Sequence, residues 1–245
     1  MTAPGVQMLQ TSPSTHPVAP DSAGAPRTLI ETVYRQLRRD IIDGRHAAGN
    51  KLRIEHLKTA YGVSGGTLRE ALALLVSDSL VVSQEQRGFR VAPMSLSDLK
   101  DLTRTRILIE CEALGESIER GRDEWEAGVV SAFHRLTLAE DRLRADAAGA
   151  FDDWEERNRL FHEALVSACQ STWMKRFREL LYQQSERYRR LSALKAPVPA
   201  DVHDEHQEIF EAVMGRDIDR AKASLANHIR HALEVLTKHA LLPDS

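Results

Sequence analysis

Beyond Pro93 the sequence keeps a single hydrophobic period. Apolar residues return every three to four positions over six stretches, about 96–120, 123–145, 151–169, 171–194, 201–214 and 217–238, the pattern of helices that bury one face. The breaks fall at Gly121, Gly149, around Ser171, at Pro197 and Pro199, and at Gly215, and Ser171 and Asp217 suit N-caps. A chain patterned this way turns wholly helical, and its amphipathic segments bury their faces by packing into an all-α six-helix bundle.

The preceding stretch is patterned differently. Leu29, Ile30, Val33, Leu37, Ile41 and Ile42 have helical spacing, and Gly44 ends that helix. Leu52 and Ile54 form a short extended piece, followed by a helix from Glu55 to Ala60. Tyr61 to Ser64 reads as a tight turn, with Gly62 free to take positive φ. Ser64 caps a further helix carrying Leu68, Ala71, Leu72, Leu75 and Val76 on one face. Val81-Val82 and Phe89 to Val91 alternate like two strands around a turn at Gln86 to Gly88. This order makes a winged helix-turn-helix with a small β-hairpin wing, although a small α/β domain unconnected with DNA has the same order. The fold class expected is mainly α. Residues 1–26 read as a disordered tail, 27–92 as the winged unit, 93–97 as a linker and 98–240 as the helical domain.

The tail holds five of the nine prolines and too little apolar area to offset its ordering entropy. The net charge of −3 conceals a division: residues 27–92 carry 11 Lys/Arg against 7 Asp/Glu, and residues 93–245 carry 22 against 28. A basic unit on an acidic body suits a nucleic-acid reader. No apolar run is long enough to span a membrane, and no secretory signal is visible. The two cysteines, Cys111 and Cys169, fit no metal-ligand spacing, which suits a reducing cytoplasm.

The stretches GNKLRIEHL, YGVSGGTLREAL and RGFRVAPMSLSDL, in that order, closely resemble the GntR family of bacterial regulators. The helical part resembles the FCD effector domain of that family's FadR branch through RILIE at 106–110, the pair Phe161-His162 and two later histidines, and its six helices look like the VanR-type subset. The resemblance covers about residues 28–240. It implies a cytoplasmic homodimer that binds double-stranded DNA at a short inverted repeat, as a repressor in most look-alikes, with affinity changed by a small carboxylate. The segment GRDEWEA at 121–127 also resembles regulators of C5 dicarboxylate metabolism.

On that docking mode, the turn from Ser64 to Arg69 meets base edges in the major groove. Arg69 matches the second arginine of the family's S-R-x-x-x-R pattern and can fork onto a guanine or a phosphate. The first arginine is replaced by Gly65, followed by Gly66, so the family's base preference does not carry over. Thr67 suits a phosphate or a thymine methyl. Arg53, Lys58 and, less strongly, His56 suit phosphates, and Arg87 with Gly88 suits a wing tip probing the minor groove. The other reading of these residues is a solvated charged surface.

Asn158 and His162 are four apart and share a helix face; His206 and His228 each lie on the apolar stripe of their own segment. Together they offer three imidazoles and one oxygen, a set suited to zinc, nickel or manganese. The resembled family usually has aspartate where Asn158 stands. A lone inward histidine is ordinarily a hydrogen-bonded core residue, and His134, His203, His231 and His239 are read that way. Arg106 is either the partner of Glu110 in an internal ion pair or a clamp on an anionic effector. Gln184 and Tyr188, with Arg187 behind them, are expected to line the same pocket. Two other functions compete: a regulator for which the metal itself is the signal, and a metal hydrolase. No H-E-x-x-H, G-x-S-x-G or phosphate-loop pattern supports an enzyme.

Overall fold

The computed structural model describes residues 28–84, 87–147, 149–195, 202–239 and 242–244; the proline-rich tail lies outside them. Helix α1 (Leu29–Ile42) starts at Thr28, whose hydroxyl accepts from the Glu31 N–H. Strand β1 (Lys51–Leu52), helix α2 (Ile54–Ala60), helix α3 (Gly65–Ser77), β2 (Val81–Gln84) and β3 (Gly88–Val91) follow. The sheet is antiparallel in the order β1-β3-β2, with Leu52 opposite Phe89 and Val81 opposite Val91. The extended piece expected at Leu52 and Ile54 is thus the third strand of the wing. It ends at Leu52, two residues before Ile54, because Arg53 is the N-cap of α2 and Ile54 already begins it. Leu37, Leu68, Leu72, Leu75 and Leu80 are fully buried at the centre of this unit, each worth roughly 1.5–3 kcal/mol of burial.

Six helices follow: α4 (Leu96–Arg120), α5 (Asp123–Ala145), α6 (Phe151–Leu165), α7 (Thr172–Lys195), α8 (Val202–Met214) and α9 (Ile218–Lys238). Their shared core holds Leu114, Leu136, Phe161, Ile209 and Leu225, distinct from the core of the winged unit. Ser171 and Asp217 cap as expected, accepting from the Met174 and Arg220 N–H groups. Helix α6 ends at Leu165 rather than at 169. The Ala164 carbonyl there accepts from the Trp125 indole and the Ser167 hydroxyl, and competition for the last carbonyls closes the helix. Cys169 still points inward from the turn beyond.

Helix α7 joins the two cores. Arg187 donates to the Ala92 carbonyl at 2.7 Å, Gln184 donates to the Asp78 carbonyl, and Glu186 pairs with Arg38 of α1 at 3.3 Å. Arg190 pairs with Asp43, just past α1, at 2.9 Å and with Asp152 of α6 at 2.8 Å. No described helix is long and apolar enough to cross a membrane.

Candidate functional site

Two sites stand on this scaffold, and the first is the exposed end of α3. Ser64 caps it, accepting from the Thr67 N–H at 3.1 Å and contacting the Thr67 hydroxyl at 3.0 Å. No acid lies in its first turn, so the positive end of the helix dipole is uncompensated. Arg69 is exposed, and one of its guanidinium nitrogens lies 3.6 Å from where a Cβ on Gly65 would stand. The glycine therefore gives the arginine room over the helix N-terminus. Arg53 is exposed beside it at the start of α2, while Lys58 is half-buried and pairs with Glu55. Arg87 and Gly88 form the exposed hairpin tip, where Gly88 takes φ +84°, a conformation that favours glycine.

The second site is inside the bundle. His162 of α6, His206 of α8 and His228 of α9 bring one ligating nitrogen each within 4.8 Å of one another. His162 and His206 are buried, and His228 opens partly to a cavity. Glu140 of α5 accepts from His206 Nδ1 at 2.7 Å, and Glu205 of α8 accepts from His228 Nδ1 at 2.7 Å. A proton held on Nδ1 by a carboxylate leaves Nε2 as a free lone pair. His206 Nε2, His162 Nδ1 and the side-chain oxygen of Asn158 are buried with no partner among the described residues. The Asn158 amide donates instead to the Tyr182 hydroxyl at 2.9 Å, which fixes its oxygen as the orphan.

Electrostatics disfavours the charged forms of His162 and His228. Burial first, then the neighbouring His206, pushes His228 down to about 4. Burial and the charges of His228 and His206 push His162 well below its ordinary value. Burial works against the Glu140 carboxylate, yet hydrogen bonds from His206 and His203 hold its pKa below the usual range. Each unpartnered buried acceptor costs about 1–3 kcal/mol. A cluster of neutral nitrogens with one amide oxygen relieves that cost by holding a cation, so the residues present fit a divalent ion.

A cavity adjoins the histidines, with about 80 Å³ open to the centres of water-sized molecules. Arg106, Asn158, His162, Tyr182 and His228 line one end of it. Arg106 donates to Glu110 at 2.7 Å, both side chains being buried, which is the internal ion pair of one expected reading, and it also borders the cavity. Gln184 and Tyr188 do not line the cavity. Gln184 reaches the winged unit, and Tyr188 donates to Asp98 at the start of α4; Arg187 likewise faces outward from the site. The residues that α7 does supply are Tyr182, Arg189, Ser192 and Ala193.

Phe177 of α7 is half exposed, and Leu181 and Leu191 are only partly buried, packed against Leu99, Leu102, Tyr188 and Leu236. The buried face of α7 runs through Arg178, Tyr182 and Ser185 instead, a polar stripe with helical spacing that hydrophobicity does not reveal. Glu140 was also missed, although a carboxylate four residues after Leu136 on a buried face is a readable signal.

Comparison with known proteins places both sites in one lineage. The family described as bacterial regulatory proteins, gntR family, matches residues 29–91, and the FCD domain matches residues 101–231. The chain is 50% identical over 216 residues to the HTH-type transcriptional regulator BphR of Paraburkholderia xenovorans, covering 88% of each. It is 36% identical over 208 residues to the HTH-type transcriptional repressor GlaR of Escherichia coli, covering 83% of this chain and 93% of that one. Among solved structures, a GntR family transcriptional regulator from Pseudomonas syringae aligns with TM-score 0.51 and 27% identity over 86% of each chain. The fold is also that of Escherichia coli McbR/YncC, with TM-score 0.69 at 19% identity over 88% of this chain and all of that one.

Proposed function

The chain belongs to the GntR family of DNA-binding transcription regulators and carries an FCD domain, and on that premise we propose that it is a homodimeric repressor released by a small carboxylate. The effector sits against a divalent ion held by His162, His206, His228 and Asn158. Its family and relatives are regulators rather than enzymes. The observation that carries the effector reading is the convergence of three imidazoles and an orphan amide oxygen beside a cavity that His162, His228, Asn158 and Arg106 line.

Zinc suits this nitrogen-rich set best, with nickel or manganese as alternatives. The ion would supply a Lewis-acidic anchor for a carboxylate oxygen. The chain's own residues do the rest. Glu140 and Glu205 fix the tautomers of His206 and His228, Tyr182 orients Asn158, and Arg106 presents guanidinium donors beside them. On the DNA side, Ser64, Thr67 and Arg69 face base edges, Arg53 and Lys58 face phosphates, and Arg87 with Gly88 enters the minor groove. The effector changes operator affinity only through different affinities for two arrangements of the winged units.

The test is operator binding by fluorescence anisotropy, on a sequence selected from random DNA. Chelated protein is compared with zinc-loaded protein, each with and without a panel of carboxylates. The expected result is release by a carboxylate only in the zinc-loaded form. Release by zinc alone would instead make the metal the signal, and no response to either would remove the effector reading.

A further inference from the structure

The cavity has two chemically different ends. From the Asn158 and His228 level it runs along α6 to Phe151 and along α9 to Val235, seven residues on each helix, or about 10 Å at the helical rise. The far end is walled by Phe151, Trp154, Val202, Ile229, Ala232 and Val235. Its open space equals roughly half a dozen waters, enough for a benzoate-sized molecule.

The charges near the histidines match one anion. Three guanidiniums surround the Tyr182 ring, with Arg106 at 5.3 Å, Arg178 at 5.0 Å and Arg189 at 4.4 Å from its centroid. Two buried carboxylates answer them. Glu110 accepts from Arg106, and Glu155 accepts from Arg189 through both oxygens. Arg178 is 3.9 Å from Glu110, and two of its buried nitrogens have no acceptor. One positive charge is therefore left over around the Tyr182 ring, carried by Arg178 behind the cavity wall rather than on it, while Glu140 and Glu205 offset a divalent ion. Among the described residues, no side chain lining the apolar end is ionised in isolation: Arg189 is matched by Glu155, and His231 contacts Glu205. A second carboxylate driven into that end would lie buried without a counter-charge, which costs several kcal/mol.

We propose that the effector is a monocarboxylate with an apolar body of aromatic size. Its carboxylate lies at the Arg106, Asn158 and histidine end, and its body packs between Phe151, Trp154 and Val235. This inference rests on the carboxylate reading above and narrows it against the C5 dicarboxylates to which residues 121–127 pointed.

Calorimetry on the zinc-loaded full chain with benzoate, phenylacetate and glutarate tests it, together with operator release by each. Benzoate or phenylacetate should bind at least about a hundredfold more tightly than glutarate, the ratio that corresponds to a few kcal/mol for one unpaired buried charge. Val235→Lys places a cation at the apolar end and should shift the preference toward glutarate; a matching thermal midpoint shows that the variant is folded. Wild-type protein that binds glutarate as tightly as benzoate, while still releasing operator, overturns the inference and leaves the carboxylate reading standing. If none of the three binds, both fall.

Discussion

In the proposed docking mode, Arg69 is the side chain on which base readout would turn. It is exposed on the first turns of α3, and Gly65 leaves it space beside the helix N-terminus. Arg69→Ala should weaken operator binding by about 1–3 kcal/mol, if the guanidinium forks onto a guanine. Equal affinity of variant and parent in anisotropy titrations would discard this role, and the melting temperature should be unmoved. Glu140 stands one step behind the proposed metal ligands. Glu140→Gln removes the anionic acceptor from His206 Nδ1, so zinc affinity measured against a competing chelator should fall about 10–100-fold. Unaltered affinity would reduce Glu140 to a packing residue. The histidines also make the metal-free protein acid-sensitive. His228 titrates at about 4 when folded, below its value of about 6.5 in an unfolded chain. The unfolded state therefore takes up this proton first, and the group's contribution, at most about 3 kcal/mol, is whole above the unfolded value and lost as pH falls toward the folded one. Urea midpoints of chelated protein should drop across that window, and a flat profile would contradict a buried neutral His228. The three histidines were legible because each sits on an apolar stripe. Arg189 was not, because a buried charge reads as surface until its partner on another helix is known.

At the scale of elements, α7 is both the wall of the cavity and the contact with the winged unit. Arg189 and Ser192 face the cavity, while Arg187 and Arg190 reach Ala92 and Asp43. A ligand that displaces α7 by a fraction of a turn moves both sets together, because one rigid helix carries them. Arg190→Ala cuts the link from α7 to Asp43 and Asp152. It should shrink the ratio of operator affinities with and without zinc and carboxylate, where a typical coupling is about 1–3 kcal/mol. Zinc binding itself should stay intact. A ratio equal to wild type would show that coupling bypasses this contact. Helix positions were readable from periodicity because five of the six helices bury aliphatic stripes. Helix α7 was readable in extent but not in phase, since its inner face carries Arg178, Tyr182 and Ser185. The end of α6 was misjudged for a related reason: the groups that take the Ala164 carbonyl come partly from Trp125 of a different helix.

For the whole molecule, charge and symmetry decide how it meets DNA. Residues 27–92 have a surplus of four positive charges and residues 93–245 a surplus of six negative ones, so repulsion keeps the bundle off the phosphates while the winged unit approaches. A homodimer presents two such units, related by a two-fold axis, to an operator of matching symmetry. This makes a countable prediction. Each phosphate neutralised by a cationic side chain contributes about −0.9 to the slope of log K against log salt. Arg53 and Lys58 are the proposed phosphate contacts of each protomer, so Arg53→Ala/Lys58→Ala removes two contacts from a monomeric complex and four from a dimeric one. The slope should therefore flatten by about 3–4 for a dimer and by only about 2 for a monomer. Anisotropy titrations over a range of potassium chloride concentrations give the difference directly, and footprinting on the same operator should show two protected half-sites. A flattening near the monomer value with a single protected site would refute two-fold binding. It would leave the reading of α3 intact, because that rests on the geometry of one winged unit.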